Sequence, residues 1–200
     1  MIKKIKTNRT IKMNNKVTWK PGTMLAPVPV VMVTCQDNSN KANIITIGWA
    51  GTICSEPPMV SISVRPSRHS YKIIKESGEF VINIPSKKLA KETDLCGVIS
   101  GSKCDKFHET GLTPGKSNSV KAPIIMECPI NLECKVKQEI PLGSHNMFLA
   151  EITSVQVSKE FIDSEGKFQT DKANLLGYAH GAYVPLGKQL GTFGFSVKKK

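Results

Sequence analysis

Residues 59–64, MVSISV, alternate strictly: Val60, Ile62 and Val64 fall on one face of an extended chain, Ser61, Ser63 and then Arg65 on the other. A period of two marks a half-buried strand, because successive side chains of a pleated backbone point to opposite sides. The same period runs through EFVINI (79–84), INLECKVK (130–137) and NMFLAEITSVQV (146–157). In INLECKVK it turns Ile130, Leu132, Cys134 and Val136 inward and Asn131, Glu133, Lys135 and Lys137 outward. VPVVMVTC (28–35) is apolar on both faces and bounded by Pro29 and the turn-like QDNSNK, which predicts a strand covered on both sides.

Helical patterns are fewer. SRHSYKIIKESG (67–78) offers Ser67 as N-cap after Pro66 and Gly78 as its stop, and SKKLAKETDLC (86–96) starts from a second serine cap after Pro85. A short turn over CDKFHET (104–110) ends at Gly111, and 111–124 reads as a long loop. At least five strands without regular strand–helix alternation predict a mainly β fold, a barrel with peripheral helices rather than a doubly wound sheet.

A chain of 200 residues and 21.9 kDa suits one domain with a core of its own. The net charge of +12 changes the picture only at the ends. Residues 1–16 hold six basic side chains and no acid, Lys198, Lys199 and Lys200 add three, and the remaining 19 basic residues face 16 acids, a net of +3. Residues 1–16 therefore read as a solvated, mobile extension and 17–200 as the functional domain. Basic ends suit nucleic acid or acidic lipid headgroups, but no stripe of aromatic and basic residues offers a stacking platform, so a basic nucleic-acid-binding barrel is the weakest alternative. The longest apolar run, APVPVVMV (26–33), is proline-broken and short of a membrane span. No membrane partner and a cytoplasmic location are expected. Six cysteines without a C-x-x-C pair read as buried thiols, and no metal site is expected.

The chemistry concentrates in 43–70. Arg65, Ser67, Arg68 and Ser70 gather at a predicted helix start, where free backbone N–H groups and the dipole favour a phosphate. Trp49 between Gly48 and Gly51 offers a flat platform, followed by a turn over Gly51–Ser55 that Pro57 and Pro58 close. A ring platform one strand from a phosphate cradle suits a nucleotide-like cofactor.

NIITIGWAGTICSEPPMVSISVRPSRHSYKIIKESGEFVINIP (43–85) resembles the flavin reductase-like, FMN-binding split-barrel family, and YAHGAYVPLGKQLGTFGFSVKK (178–199) is similar to the ending of its flavoredoxin branch. KCDKF (103–107), AP (122–123) and NLEC (131–134) stand in the family's order, so the likeness covers about 20–197. It implies a six-stranded antiparallel Greek-key split barrel, a homodimer, and non-covalent FMN near the subunit interface. By the same resemblance Asn43, Thr46, Trp49, Ala50, Gly51 and Thr52 line the isoalloxazine and ribityl chain, with Cys54 and Ser55 beside them. Arg65, Ser67, Arg68, His69 and Ser70 serve the phosphate, and Lys103 or Lys106 reaches the flavin N1 and C2 carbonyl.

The implied activity is an NAD(P)H-dependent flavin reductase passing hydride from nicotinamide C4 to flavin N5, which asks no nucleophile or base of the protein. No catalytic side chain is therefore assigned, and His145 and His180 are candidates for the nicotinamide side. The alternative is a flavoredoxin-type electron-transfer protein whose bound FMN is served by a redox protein partner. The sequence does not choose NADH over NADPH.

Overall fold

The computed structural model describes residues 16–197, so the basic extension read over 1–16 falls almost wholly outside the described residues. In chain order the elements are β1 (Val28–Pro29), β2 (Val31–Gln36), β3 (Ala42–Ile47), β4 (Ala50–Cys54), β5 (Met59–Val64), α1 (His69–Ser77), β6 (Glu79–Ile84), α2 (Ala90–Val98) and α3 (Lys106–Thr110). Then follow β7 (Pro114–Gly115), β8 (Ile124–Ile125), β9 (Ile130–Pro141), β10 (Asn146–Val157), α4 (Thr170–Ala173), β11 (Leu176–Ala179) and β12 (Ala182–Pro185).

The main sheet is antiparallel with the order β3-β2-β6-β9-β10-β5-β4. Its two end strands, β3 and β4, are separated in the chain only by Gly48 and Trp49. A link of two residues forces the ends together, so the sheet closes into a barrel of six strands in which 42–54 is one bent strand. Across the bend the Ser63 amide donates to the Trp49 carbonyl at 2.9 Å. Strand β5 and the next strand, β6, are not neighbours in the sheet, so α1 carries the chain between them and buries Ile73 and Ile74 in the barrel core.

The alternation read from sequence holds where it matters. Val60, Ile62 and Val64 are buried, as are Val31, Val33 and Cys35 of β2, and with Phe80, Cys134 and Phe148 they fill the barrel. The outer face of β2 and β3 is covered too: Met32 and Ile44 pack with Cys96, Phe107 and Leu112 from α2, α3 and the following loop. This is why β2 is apolar on both sides.

Three outward polar positions depart from the simple pattern. Asn83, Asn131 and Glu133 lie on the outer face yet are 0, 4 and 0 % exposed, because the loop over 111–124 folds across them. Asn83 Nδ2 donates to the Met32 carbonyl at 2.9 Å, and its Oδ1 accepts from Ile125 N and Asn131 Nδ2, each at 2.8 Å. Asn118 N and Ser119 N reach Glu133 at 2.9 and 2.6 Å, joined by Ser119 Oγ and Gln156 Nε2. Burial opposes the charge on Glu133, but these donors prevail and hold its carboxyl down at about 2.

Helix starts needed correction. Helix α1 begins at His69 with Arg68 in the N-cap position and no side-chain cap bond, so Ser67 is not the cap; a turn closed by Arg68 N to Arg65 O places the start later. Ser86 likewise opens a 3₁₀ turn over Lys87–Leu89, with α2 following from Ala90. Asp105 caps α3 by accepting from Phe107 N at 3.0 Å, while Gly78 and Gly111 end their helices at φ 68°, as the sequence indicates. The stretch 51–55 is not a turn: 50–54 is β4, paired with β5, and the reversal falls at 55–58.

Candidate functional site

Two adjoining hollows open on one side of the barrel. The first, of about 410 Å³, is walled by β3, the 48–49 bend and the end of β5, through Ile45, Thr46, Ile47, Trp49, Ser63 and Val64. The second, of about 390 Å³, lies between the start of α1 and the loop after α2, through Asn43, Ser67, His69, Ser70, Ser100 and Gly101. Ile45, Arg65, Arg68 and Gly97 line both. The result is one elongated cleft, within the ordinary size range of ligand pockets.

The first hollow is aromatic. Trp49, 39 % exposed, stands at its rim, and Tyr178 and Tyr183 face it from the hairpin β11–β12, their rings edge-to-face with centroids 5.6 Å apart. That hairpin turns on His180 and Gly181, both at positive φ, as a two-residue loop demands. Tyr183 OH donates to Asp94 Oδ1 at 3.0 Å; burial, then the carboxylate, pushes the phenol up to about 12. His145 completes this wall, and burial followed by the Arg65 and Arg68 cations holds its imidazole below the ordinary range. It is therefore neutral at pH 7.

The second hollow is cationic. Ser70 is buried in the first turn of α1 and its Oγ accepts from Asn43 Nδ2 at 2.7 Å. Lys106, 4 % exposed, donates to the carbonyls of Ile44 and Cys96, each at 2.7 Å, leaving one of its three N–H bonds uncommitted by those contacts. Burial lowers its pKa, and the Arg68 cation adds to that against the pull of the Cys96, Cys104 and Cys35 thiols. Arg65, Ser67, Arg68 and His69 are exposed at the mouth. Helix start, serine hydroxyls and guanidinium groups are the kind of donor set that could hold an anion.

Gly101 belongs to the same construction: a Cβ there would lie 1.9 Å from Asn43 Oδ1. Gly101→Ala is expected to dislodge Asn43, break its bond to Ser70 and cost about 1–3 kcal/mol, read from thermal melting. An unchanged melting temperature would show that Asn43 moves freely.

Of the residues singled out in the sequence, Asn43, Thr46, Trp49, Arg65, Ser67, Arg68, His69, Ser70 and Lys106 line the cleft. Ala50, Gly51, Thr52, Cys54, Ser55 and Lys103 line neither hollow. Residues 50–54 pair with β5, where Ala50 packs on the core and Thr52 is exposed. Lys106 lies with Ser70 at the cationic end rather than beside Trp49, and His180 lines neither hollow. Tyr178, Tyr183, Asp94 and Gly97 were not anticipated. The two tyrosines flanking a glycine turn were a usable hairpin signal; nothing local marks Asp94 or Gly97.

Barrel and cleft together present one elongated cavity, aromatic at one end and cationic at the other. The sequence matches the profile of the flavin reductase like domain over residues 23–187, and the chain belongs to that family. It is 32% identical to the flavoredoxin of Desulfovibrio vulgaris (Miyazaki F), whose structure superposes with a TM-score of 0.85 over 92% of this chain and 100% of that one. Flavoredoxin from Methanosarcina acetivorans gives 28% identity and a TM-score of 0.83 over 92% and 97%. A protein of Archaeoglobus fulgidus is 36% identical over 125 residues, 62% of this chain and 71% of its own.

Proposed function

We propose that this chain is an FMN-binding oxidoreductase that accepts hydride from NADH or NADPH. The observation that carries the reading is the continuity of the cleft: Arg65 and Arg68 line both its aromatic and its cationic hollow. The donor set fits FMN. Arg65, Ser67, Arg68, Ser70 and the α1 N-terminus suit a phosphate dianion; Trp49, Ile45, Ile47 and Val64 suit a flat ring; Asn43 and Thr46 lie between. Bound FMN supplies the two-electron chemistry, and the protein supplies binding, orientation and electrostatics. Neutral His145, beside Trp49 and the two tyrosines, faces the hollow where a nicotinamide would approach.

Purified protein with FMN is expected to be yellow and to consume NADH or NADPH, followed near about 340 nm. A colourless protein that cannot be reconstituted with FMN would sink the reading. The likeness to two flavoredoxins favours a second reading, an electron carrier that keeps its FMN and takes electrons from a protein partner. Firm FMN retention with negligible nicotinamide oxidation selects it.

A homodimer is part of the proposal. Trp49 at the bend and Ile53 of β4 are 39 and 46 % exposed, apolar surface that a second copy could cover. Sedimentation is expected to give twice the 21.9 kDa of the chain, and Ile53→Asp to shift the species toward that single mass.

A further inference from the structure

The turn between β9 and β10 carries His145 into the wall of the aromatic hollow, yet the sheet gives that turn little support. Both ladders of β10 stop at Asn146, opposite Val64 of β5 and Pro141 of β9, so His145 stands one residue beyond the last pair. Residues 142–145 close on a backbone bond from Leu142 N to the His145 carbonyl at 2.9 Å, and Gly143 sits at φ 100°. Ser144 Oγ lies 2.9 Å from His145 Nδ1, a contact inside the turn that ties the ring to its neighbour and not to the barrel.

A polar cluster flanks the turn. Tyr71 OH donates to Glu139 Oε1 at 2.5 Å, and Asn146 Nδ2 donates to that same oxygen at 2.5 Å and to Tyr71 OH at 3.0 Å. Lys75, one helical turn after Tyr71 on α1, places Nζ 3.1 Å from Glu139 Oε2. These partners, the Tyr71 hydroxyl first, hold the Glu139 carboxyl below its ordinary range, so it is ionised at neutral pH. Tyr71 also packs its ring on Phe148, with centroids 5.7 Å apart, and Phe148 pairs with Glu139 across β9 and β10. That packing asks only for the ring, and a surface ion pair adds little stability. What the three mutual hydrogen bonds do supply is a fixed geometry between α1 and the two strands that lead into and out of the turn.

We propose that Tyr71, Glu139 and Asn146 are positioning residues: they pin the 142–145 turn to α1 and so hold His145 in the wall of the aromatic hollow. Their effect on turnover rests on the reading of that hollow as the place where a nicotinamide approaches; their effect on His145 itself does not. The helix is a suitable anchor because its first residues, His69 and Ser70, line the cationic hollow and its Ile73 and Ile74 are buried in the barrel core. His145 shares its hollow with Arg65, Arg68 and Asp94, so a small displacement of the turn changes the charges that its ring meets.

Tyr71→Phe combined with Lys75→Met cuts both ties between α1 and Glu139 while keeping the ring on Phe148. NMR titration of His145 in the full chain is expected to move up toward the ordinary imidazole value, because a released turn takes the ring out of burial and away from Arg65 and Arg68. In the FMN-loaded protein KM for the reduced nicotinamide should rise about tenfold, with kcat changed less than about threefold and FMN affinity less than about twofold. Lys72→Met, on the same helix but paired with Glu76, should move none of these. An unmoved His145 titration in the folded double variant overturns the proposal, whatever the melting temperature does, and makes the cluster structural only. Should the double variant not fold, Asn146→Ala removes two of the bonds from the turn side and is read by the same titration. Wild-type protein that oxidises no nicotinamide would remove the proposed activity, while the titration still decides whether the cluster positions the ring.

Discussion

Glu133→Gln is expected to lose about 3 kcal/mol of stability at neutral pH and about 10 °C in melting temperature. The carboxylate is fully buried on the outer face of β9, and its partners are two backbone amides, a hydroxyl and a side-chain amide. Glutamine has the same shape, but one terminal atom becomes a donor facing donors, so at least one amide of the covering loop is left unpaired. The pH dependence follows from the sign of the shift. The folded carboxyl sits at about 2, below its ordinary 4.5, so its stabilisation is complete above pH 4.5 and drains away as the pH falls toward 2. Asp37, Glu139 and Asp163 also titrate low. The difference between wild-type and Glu133→Gln acid-unfolding curves isolates Glu133. Parallel curves across that window would show that the cluster of donors does not hold the charge.

The second large effect concerns the cleft. Replacing Arg65 and Arg68 together with glutamine should weaken FMN binding by about 100-fold or more, with riboflavin binding changed less than about threefold. On the proposed reading each guanidinium would make charge-assisted bonds to the phosphate dianion, worth more than neutral ones, and both are exposed at the mouth of the cleft, so the barrel should not be harmed. A second readout is independent of the flavin. The same cations help hold His145 low, so the double variant should move the His145 titration up toward the ordinary imidazole value, observed by NMR. Equal loss of FMN and riboflavin affinity would place the arginines against the ring and not the phosphate.

The candidate site was legible where strand and loop chemistry are local. Arg65, Ser67, Arg68 and Ser70 occupy the end of one strand and the start of one helix, so their proximity follows from their spacing. Trp49 was legible because a bend with flanking glycine is local too. Where residues of the 50–55 stretch sit depends on a long-range event: once β4 pairs with β5, Thr52 and Cys54 are strand residues instead of turn residues, and they line neither hollow. Helix capping failed for a similar reason: Ser67 had the right chemistry for a cap, but the 65–68 turn set the start one residue later and left its hydroxyl at the hollow.

What the amino-acid order determined by itself is the set of strands, because a period of two in Val60, Ile62 and Val64, or in Leu132, Cys134 and Val136, requires one covered face whatever covers it. It also determined the cationic cluster at 65–70. Closure of the barrel, the burial of Glu133 under the 111–124 loop, and the meeting of Tyr178, Tyr183 and Asp94 with Trp49 were decided by the tertiary structure alone. Those contacts join residues tens of positions apart, and the free energy that selects them is shared among surfaces no local stretch contains.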